Sequence, residues 1–217
     1  MLTREEVRAF YDRFGMVQDR QGFYEDIATS DLTAHAGFEQ AKAVFEFGCG
    51  TGRFAATLLT HSLAENATYT ACDLSATMIG IARGRLTQFD TRAQVQLTDG
   101  SPSLAAADST FDRFVANYVL DLLPPEDIAM LLVEARRILT PDGRLCLVSL
   151  THGVTQLSRF VSSAWEILHR LRPALVGGCR PIELLEFVAE SEWKVDHRNV
   201  VINFGIPSEV LVASKNP

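Results

Sequence analysis

The sequence predicts a doubly wound α/β fold: a mostly parallel sheet of seven strands, helices on both faces, and an antiparallel hairpin at the C-terminal end. Three observations carry that expectation. Val44, Phe45 and Phe47 form a short apolar run that breaks at alternating glycines, Gly48, Gly50 and Gly52. The pattern then resumes at helical spacing with Phe54, Leu58 and Leu59. Glycines between a strand and a helix let backbone approach a ligand at the helix N-terminus. Strand and helix patterns keep alternating as far as residue 150, and two final strand-like runs flank a turn at Gly205-Ile206-Pro207.

Taken in order, Thr3 with Glu6 forms a capping-box pattern that opens a helix through Phe14, with Val7, Phe10, Tyr11 and Phe14 on one face. A second helical piece is expected over 31–40. Strands follow near 43–48, 68–73, 93–98, 111–117 and 144–150, and helices near 52–63, 75–88 and 125–139. Pro124 and Pro125 suit the start of the last of these, whose Ile128, Leu131, Ala135, Ile138 and Leu139 form an apolar stripe. Leu157, Phe160, Val161, Ala164, Leu168 and Leu171 then recur at helical spacing until Pro173 and Gly177-Gly178 stop the pattern. A short helix over 182–191 and strands over 193–203 and 209–214 complete the chain. One domain is expected, divided into an N-terminal helical cover (1–40), a core (41–151), a helical substrate cover (152–180) and a C-terminal helix and hairpin (181–217).

Composition narrows the partners. At 217 residues, 47% of them hydrophobic, the chain can bury one ordinary core. With a net charge of −7 and no basic cluster, the footprint of a nucleic-acid binder is missing. No 18-residue apolar run and no signal core are present, so no membrane span and a cytoplasmic location are expected. Cys49, Cys72, Cys146 and Cys179 are scattered, which fits reduced, buried thiols and no metal site. A monomer or homodimer acting on a small molecule remains.

The glycine loop allows three ligands. A phosphate loop needs Gly-Lys-Ser/Thr, and no lysine lies between Lys42 and Lys194. A dinucleotide loop is compatible with Gly50-Thr51-Gly52-Arg53-Phe54-Ala55, with Asp73 as the ribose acid; it would make the protein an NAD(P)-dependent oxidoreductase. The whole string Glu46-x-Gly48-x-Gly50-x-Gly52 resembles the first motif of class I S-adenosylmethionine-dependent methyltransferases. Further stretches resemble later motifs of that family in the same order. They are Asp73-x-Ser75-x-x-Met78-x-x-x-Ala82-Arg83, the Val95–Gly100 strand end with Asp99, the Phe111–Tyr118 strand, and the Glu134–Gly143 helix and turn with its Pro141-Asp142-Gly143. The likeness runs from about residue 41 to 151, and the overall layout is weakly similar to methyltransferases of ubiquinone and menaquinone biosynthesis.

The resemblance implies a Rossmann-like fold, S-adenosyl-L-methionine as cofactor with S-adenosyl-L-homocysteine as product, and a set of site residues. Glu46 would orient the loop and receive the methionine ammonium group. Gly48, Cys49, Gly50 and Gly52 would face the cofactor, and Asp73 and Leu74 would meet the ribose side. Met78 is either an adenine contact or a core residue. Asp99 with Gly100 either meets the adenine amino group or forms a turn, and Asn117 lies next to the transferred methyl or caps backbone. Tyr11, Tyr118 and Asp121, with Tyr24 and His35 beside them, are candidates for the substrate side. His152, directly after the fifth strand, is the candidate general base, with a surface role as its alternative. Trp165 is expected in the core and His169 at the surface. The expected reaction is methyl transfer to oxygen, nitrogen or an activated carbon of a small, rather apolar molecule, chiefly by positioning. A non-catalytic cofactor-binding protein of the same fold is the other alternative.

Overall fold

A computed structural model describes residues 1–89, 91–189 and 192–216. Among the described residues seven strands form one sheet: β1 (Ala43–Phe47), β2 (Thr68–Asp73), β3 (Ala93–Leu97), β4 (Phe111–Asn117), β5 (Leu139–Leu150), β6 (Trp193–Asn203) and β7 (Ile206–Lys215). Their spatial order is β3-β2-β1-β4-β5-β7-β6. The first five strands pair in parallel, and β7 runs antiparallel to both its neighbours. The strand order reverses beside β1, so β1 and β4 diverge at their carboxyl ends and leave the crevice in which ligands of such sheets sit.

Helices cover both faces: α1 (Arg4–Phe14), α2 (Gly22–Ala36), α3 (Arg53–His61), α4 (Ala76–Leu86), α5 (Pro125–Ile138), α6 (Gln156–Leu171) and α7 (Leu184–Ala189). Alternation along β1 and β4 divides the core. Phe45, Phe47, Phe114 and Ala116 pack with α5 and α7 residues such as Leu131 and Leu184. Val44 and Val115 pack on the other face with Ala28 and Leu32 of α2 and Leu58 of α3. The capping box is formed: Thr3 Oγ1 accepts from Glu6 N–H at 3.2 Å and Glu6 Oε2 accepts from Thr3 N–H at 2.8 Å.

Three expectations need correction. The second helix starts at Gly22 rather than 31, because Tyr24, Ala28, Leu32 and Ala36, spaced four apart, make one buried stripe on the sheet. Strand β5 starts at Leu139 rather than 144: Leu139 pairs with Phe111, and a register shift precedes Arg113↔Arg144, so the Pro141-Asp142-Gly143 stretch lies within the strand. The amphipathic face of α6 is turned outward. Its buried residues are Ser158, Ser162 and His169, whereas Leu157, Phe160, Leu168 and Leu171 are exposed. Trp165 is half-buried and its Nε1–H donates to the Cys179 carbonyl at 3.0 Å. The short helix expected over 182–191 spans Leu184–Ala189, and its expected end lies outside the described residues.

The β6–β7 turn is Phe204-Gly205, with φ of 49° and 82°; two positive values in a two-residue hairpin match the right-handed twist of the strands. On the α2 face, Asp31, His35 and His197 bring ligand-type atoms within 4.8 Å of one another. The two imidazoles are stacked, centroids 3.6 Å apart and planes 5° off parallel, so their in-plane lone pairs run side by side instead of converging. The cluster pins α2 to β6, with His197 Nε2 3.0 Å from Asp31 Oδ2.

Candidate cofactor and substrate site

The loop after β1 is folded tightly onto β2. Gly48 and Cys49 N–H both donate to the Cys72 carbonyl, at 2.9 and 3.0 Å. Gly48, Gly50 and Gly52 all have positive φ, at 76°, 52° and 72°. At Gly48 the requirement for glycine is also steric, since a Cβ there would stand 2.7 Å from the Val119 side chain. At Gly50 a Cβ would meet the Gln18 amide at 2.7 Å, which is the movable end of a flexible side chain.

Asp73 closes β2 beside this loop. Its Oδ2 accepts from Gly50 N–H and its Oδ1 from Ser75 N–H, each at 2.9 Å. Burial raises its pKa, and those backbone donors oppose the rise. Glu46 is buried in β1, where its Oε2 accepts from Tyr69 O–H at 2.9 Å. Burial, with a smaller contribution from the charge on Asp73, pushes it up to about 7. Asn117 ends β4 with both side-chain polar atoms buried and without a protein partner. The next residue, Tyr118, has φ 52°, a strained value for a non-glycine residue. Its O–H donates to Ser208 Oγ at 2.8 Å.

Two cavities meet at Gly48. The larger, about 640 Å³, is walled by Glu46, Cys49, Asn117 and Tyr118 from the sheet ends and by Glu25 and Arg53 from α2 and α3. The smaller, about 50 Å³, is walled by Gly48, Asp73, Leu74 and Gly100 and, from the N-terminal segment, by Leu2, Arg4 and Val7. Other candidates lie elsewhere. Met78 is fully buried, its N–H capped by Ser75 Oγ at 3.1 Å, and it lines neither cavity. Asp99 is exposed and accepts from Ser101 N–H at 2.8 Å, the geometry of a turn residue. His152 is exposed and lines neither cavity, so the placement expected of a base after the fifth strand is not what the fold produces.

Tyr11 and Asp121 belong to a separate buried polar group. Tyr11 O–H lies 3.8 Å from Cys179 Sγ, and burial drives its pKa well up. Asp121 is pushed up to about 7 by burial; its Oδ2 accepts from Leu150 N–H at 3.3 Å, and its Oδ1 is unpartnered.

Several residues at the site carry no sequence signature. Asp12 Oδ1 accepts from Ser75 O–H at 2.6 Å, which holds α1 against the start of α4. Asp19 accepts from Thr51 O–H at 2.6 Å and pairs with Arg85 at 2.5 Å, strapping the 15–21 segment across the glycine loop. Glu25 on the cavity wall is pushed up to about 7 by burial against the opposing Arg53, whose Nη2 is 2.8 Å away. Only the charge of these side chains was visible beforehand.

Comparison with known proteins agrees with this fold. Residues 44–143 match a family model described as a methyltransferase domain. A malonyl-[acyl-carrier protein] O-methyltransferase of Erwinia pyrifoliae is 27% identical across 79% of this chain, and the chain spans 60% of that relative's length. A demethylmenaquinone methyltransferase of Tropheryma whipplei is 28% identical, covering 88% of this chain and 79% of the relative. Among solved structures, geranyl diphosphate C-methyltransferase of Streptomyces coelicolor, in complex with S-adenosyl-L-homocysteine, superposes with a TM-score of 0.70. It is 11% identical and covers 98% of this chain and 97% of its own. In fold, in its glycine loop and in these likenesses, the chain is similar to class I S-adenosylmethionine-dependent methyltransferases, with the methyltransferase-domain match confined to its central part.

Proposed function

We propose that this protein transfers a methyl group from S-adenosyl-L-methionine to oxygen, nitrogen or an activated carbon of a small, rather apolar molecule. The observation that carries the reading is the pair of cavities joined at Gly48, one holding the Asp73 carboxylate and the other the unpartnered Asn117 amide. The residues fit the cofactor. A carboxylate beside the loop can accept from both ribose hydroxyls, and Leu74 and Gly100 offer an apolar floor for a base. Glu46 and Asn117 present the charge and hydrogen-bonding capacity that an amino-acid end requires. The bound cofactor supplies an activated methyl on a cationic sulfur.

The rest of the task falls to this chain. The small cavity, about 50 Å³, is narrow for an adenosine and is lined by Leu2, Arg4 and Val7, so cofactor entry would require this N-terminal segment to draw back, and its return would exclude water. Alignment of acceptor and methyl can supply on the order of 7–11 kcal/mol of barrier lowering. Where the acceptor must lose a proton, Glu25 is better placed than His152, because it lies on the wall of the large cavity and titrates near 7. Hydroxyls of Thr29, Ser30 and Thr33 beside the rings of Phe54 and Tyr118 suit an acceptor with an apolar body and one polar end. The relatives named for demethylmenaquinone and geranyl diphosphate support that class of acceptor.

The test is parallel calorimetric titration with S-adenosylmethionine, S-adenosylhomocysteine and NADH, followed by an acceptor screen with labelled methyl donor. Binding of the two adenosyl ligands without NADH is expected. Binding of NADH alone overturns the proposal, and cofactor binding with no methyl transfer to any acceptor favours a non-catalytic protein of the same fold.

A further inference from the structure

Helix α6 is amphipathic in the wrong sense for a helix that covers a core. It packs inward through Ser158, Ser162, His169 and the edge of Trp165, while its apolar stripe faces solvent. Leu157 is 65% exposed, Phe160 72%, Ile167 58% and Leu171 75%, with Leu175 just beyond at 63%. With exposed Ala164 between Phe160 and Ile167, apolar side chains recur every three or four residues on this face and make a continuous strip rather than scattered surface hydrophobics. The strip continues past the helix. The 173–176 turn packs on α6, and its Ala174 lines a groove of about 420 Å³ with Leu2, Phe10 and Phe14 of the N-terminal segment.

Charge indicates what covers this strip. Residues 152–180 contain four arginines, Arg159, Arg170, Arg172 and Arg180, and one acid, Glu166. Arg180 is turned inward onto the Asp121 and Leu123 carbonyls and Arg170 pairs with Glu166, so the exposed surface of this segment is net +2, carried by Arg159 and Arg172, in a chain of net −7. A second copy would bring the same positive charge to the contact, whereas an anionic lipid surface complements it. Strong amphipathicity, low net hydrophobicity, Phe and Leu on one side and basic residues alongside are the features of a helix lying in a membrane interface. On its inner side the helix reaches the separate polar group at Tyr11, since Trp165 Nε1–H donates to the Cys179 carbonyl and the Cys179 thiol lies 3.8 Å from the Tyr11 hydroxyl.

We infer that α6, with the 173–176 turn, docks this protein in-plane on anionic lipid, its Leu157–Phe160–Ile167–Leu171–Leu175 face sinking into the headgroup boundary. No span is involved: no helix among the described residues is long and apolar enough to cross a membrane. The inference goes beyond the methyltransferase reading and does not depend on it.

The test is co-sedimentation of the cofactor-free full chain with vesicles of phosphatidylglycerol and phosphatidylcholine in equal parts, against vesicles of phosphatidylcholine alone. Wild type is expected to partition onto the anionic vesicles and to be released by added salt. The double variant Phe160→Glu with Leu171→Glu, and separately Arg159→Glu with Arg172→Glu, should each reduce partitioning by at least about tenfold. These side chains are exposed, so an unchanged melting curve and unchanged S-adenosylhomocysteine binding verify that the variants are folded. Equal partitioning of wild type and the apolar variant, equal binding to neutral vesicles, or no sedimentation overturns the inference. So does a wild-type dimer in light scattering that becomes monomeric in the apolar variant without any vesicle binding, because a second copy then covers the strip.

Discussion

The half of the molecule around the glycine loop and the helical cover that closes over it obey different rules. At the loop, each functional feature is a backbone requirement within one short stretch: three positive-φ glycines, an acid at the end of β2, an N-cap serine two residues on. In the cover, the contributing side chains come from distant elements, such as Asp12 on Ser75, Asp19 on Arg85 and Glu25 on Arg53. A site built from local conformation tolerates little change at any one position. A site built from partly exposed side-chain pairs loses a little at each.

The contrast can be broken most directly at the glycines. Gly48→Ala adds a Cβ 2.7 Å from Val119 at a φ of 76°, combining backbone strain of about 1–3 kcal/mol with overpacking of similar size. It should lower S-adenosylhomocysteine affinity by about a hundredfold or more in calorimetry and lower the melting temperature. Gly50→Ala meets only the movable Gln18 amide and should cost about a tenth as much in affinity, because the strain remains and the clash does not. Equal losses at the two positions would remove the distinction.

Asp73→Ala comes next. Charged hydrogen bonds are worth about 1.5–3 kcal/mol each, so cofactor binding should weaken about tenfold or more. Asp121→Asn, in the buried group with Tyr11, should leave that affinity within about twofold, since Asp121 lines neither cavity.

A pH profile sharpens the comparison further. Glu46 titrates near 7 in the folded chain against a reference of 4.5, so folding takes up a proton between those values. Its contribution to the stability of the free protein is therefore fully present below about 4.5 and declines as pH rises through 7. The cofactor's ammonium group favours the ionised form, so affinity should fall as pH drops below about 7, by up to tenfold per unit. Glu46→Gln should flatten that slope in calorimetry; an unchanged slope would mean that another group is responsible.

In the cover, Arg85→Ala breaks a partly exposed pair with Asp19 and should reduce affinity only about threefold. The smallest effect is expected at His152, exposed and away from both cavities. His152→Ala should keep binding and turnover within about twofold, and a large loss of turnover would restore it as the base.

Much of the parallel core was legible because strand alternation, glycine turns and caps are local. The start of α2 was not legible: its buried stripe of Tyr24, Ala28, Leu32 and Ala36 mixes small and aromatic residues, and only the sheet beneath makes those positions equivalent. The apolar period of α6 was visible, yet periodicity identifies a stripe without saying whether protein or solvent faces it. His169 was expected outside and lies inside, because the polar face of that helix is the one that packs.

What the amino-acid order determined by itself is the succession of strands and helices, the glycine-dependent turn after β1 and the acid that closes β2. These follow from φ/ψ preferences and from apolar periods of two and 3.6, which act within a few residues. Tertiary structure alone decided that Leu2, Arg4 and Val7 line the pocket at Asp73, that Glu25 and Glu46 are buried enough to titrate near 7, and that α6 turns its apolar face outward. The physical reason is that desolvation and contact depend on which surfaces meet, and those surfaces come from parts of the chain far apart in sequence.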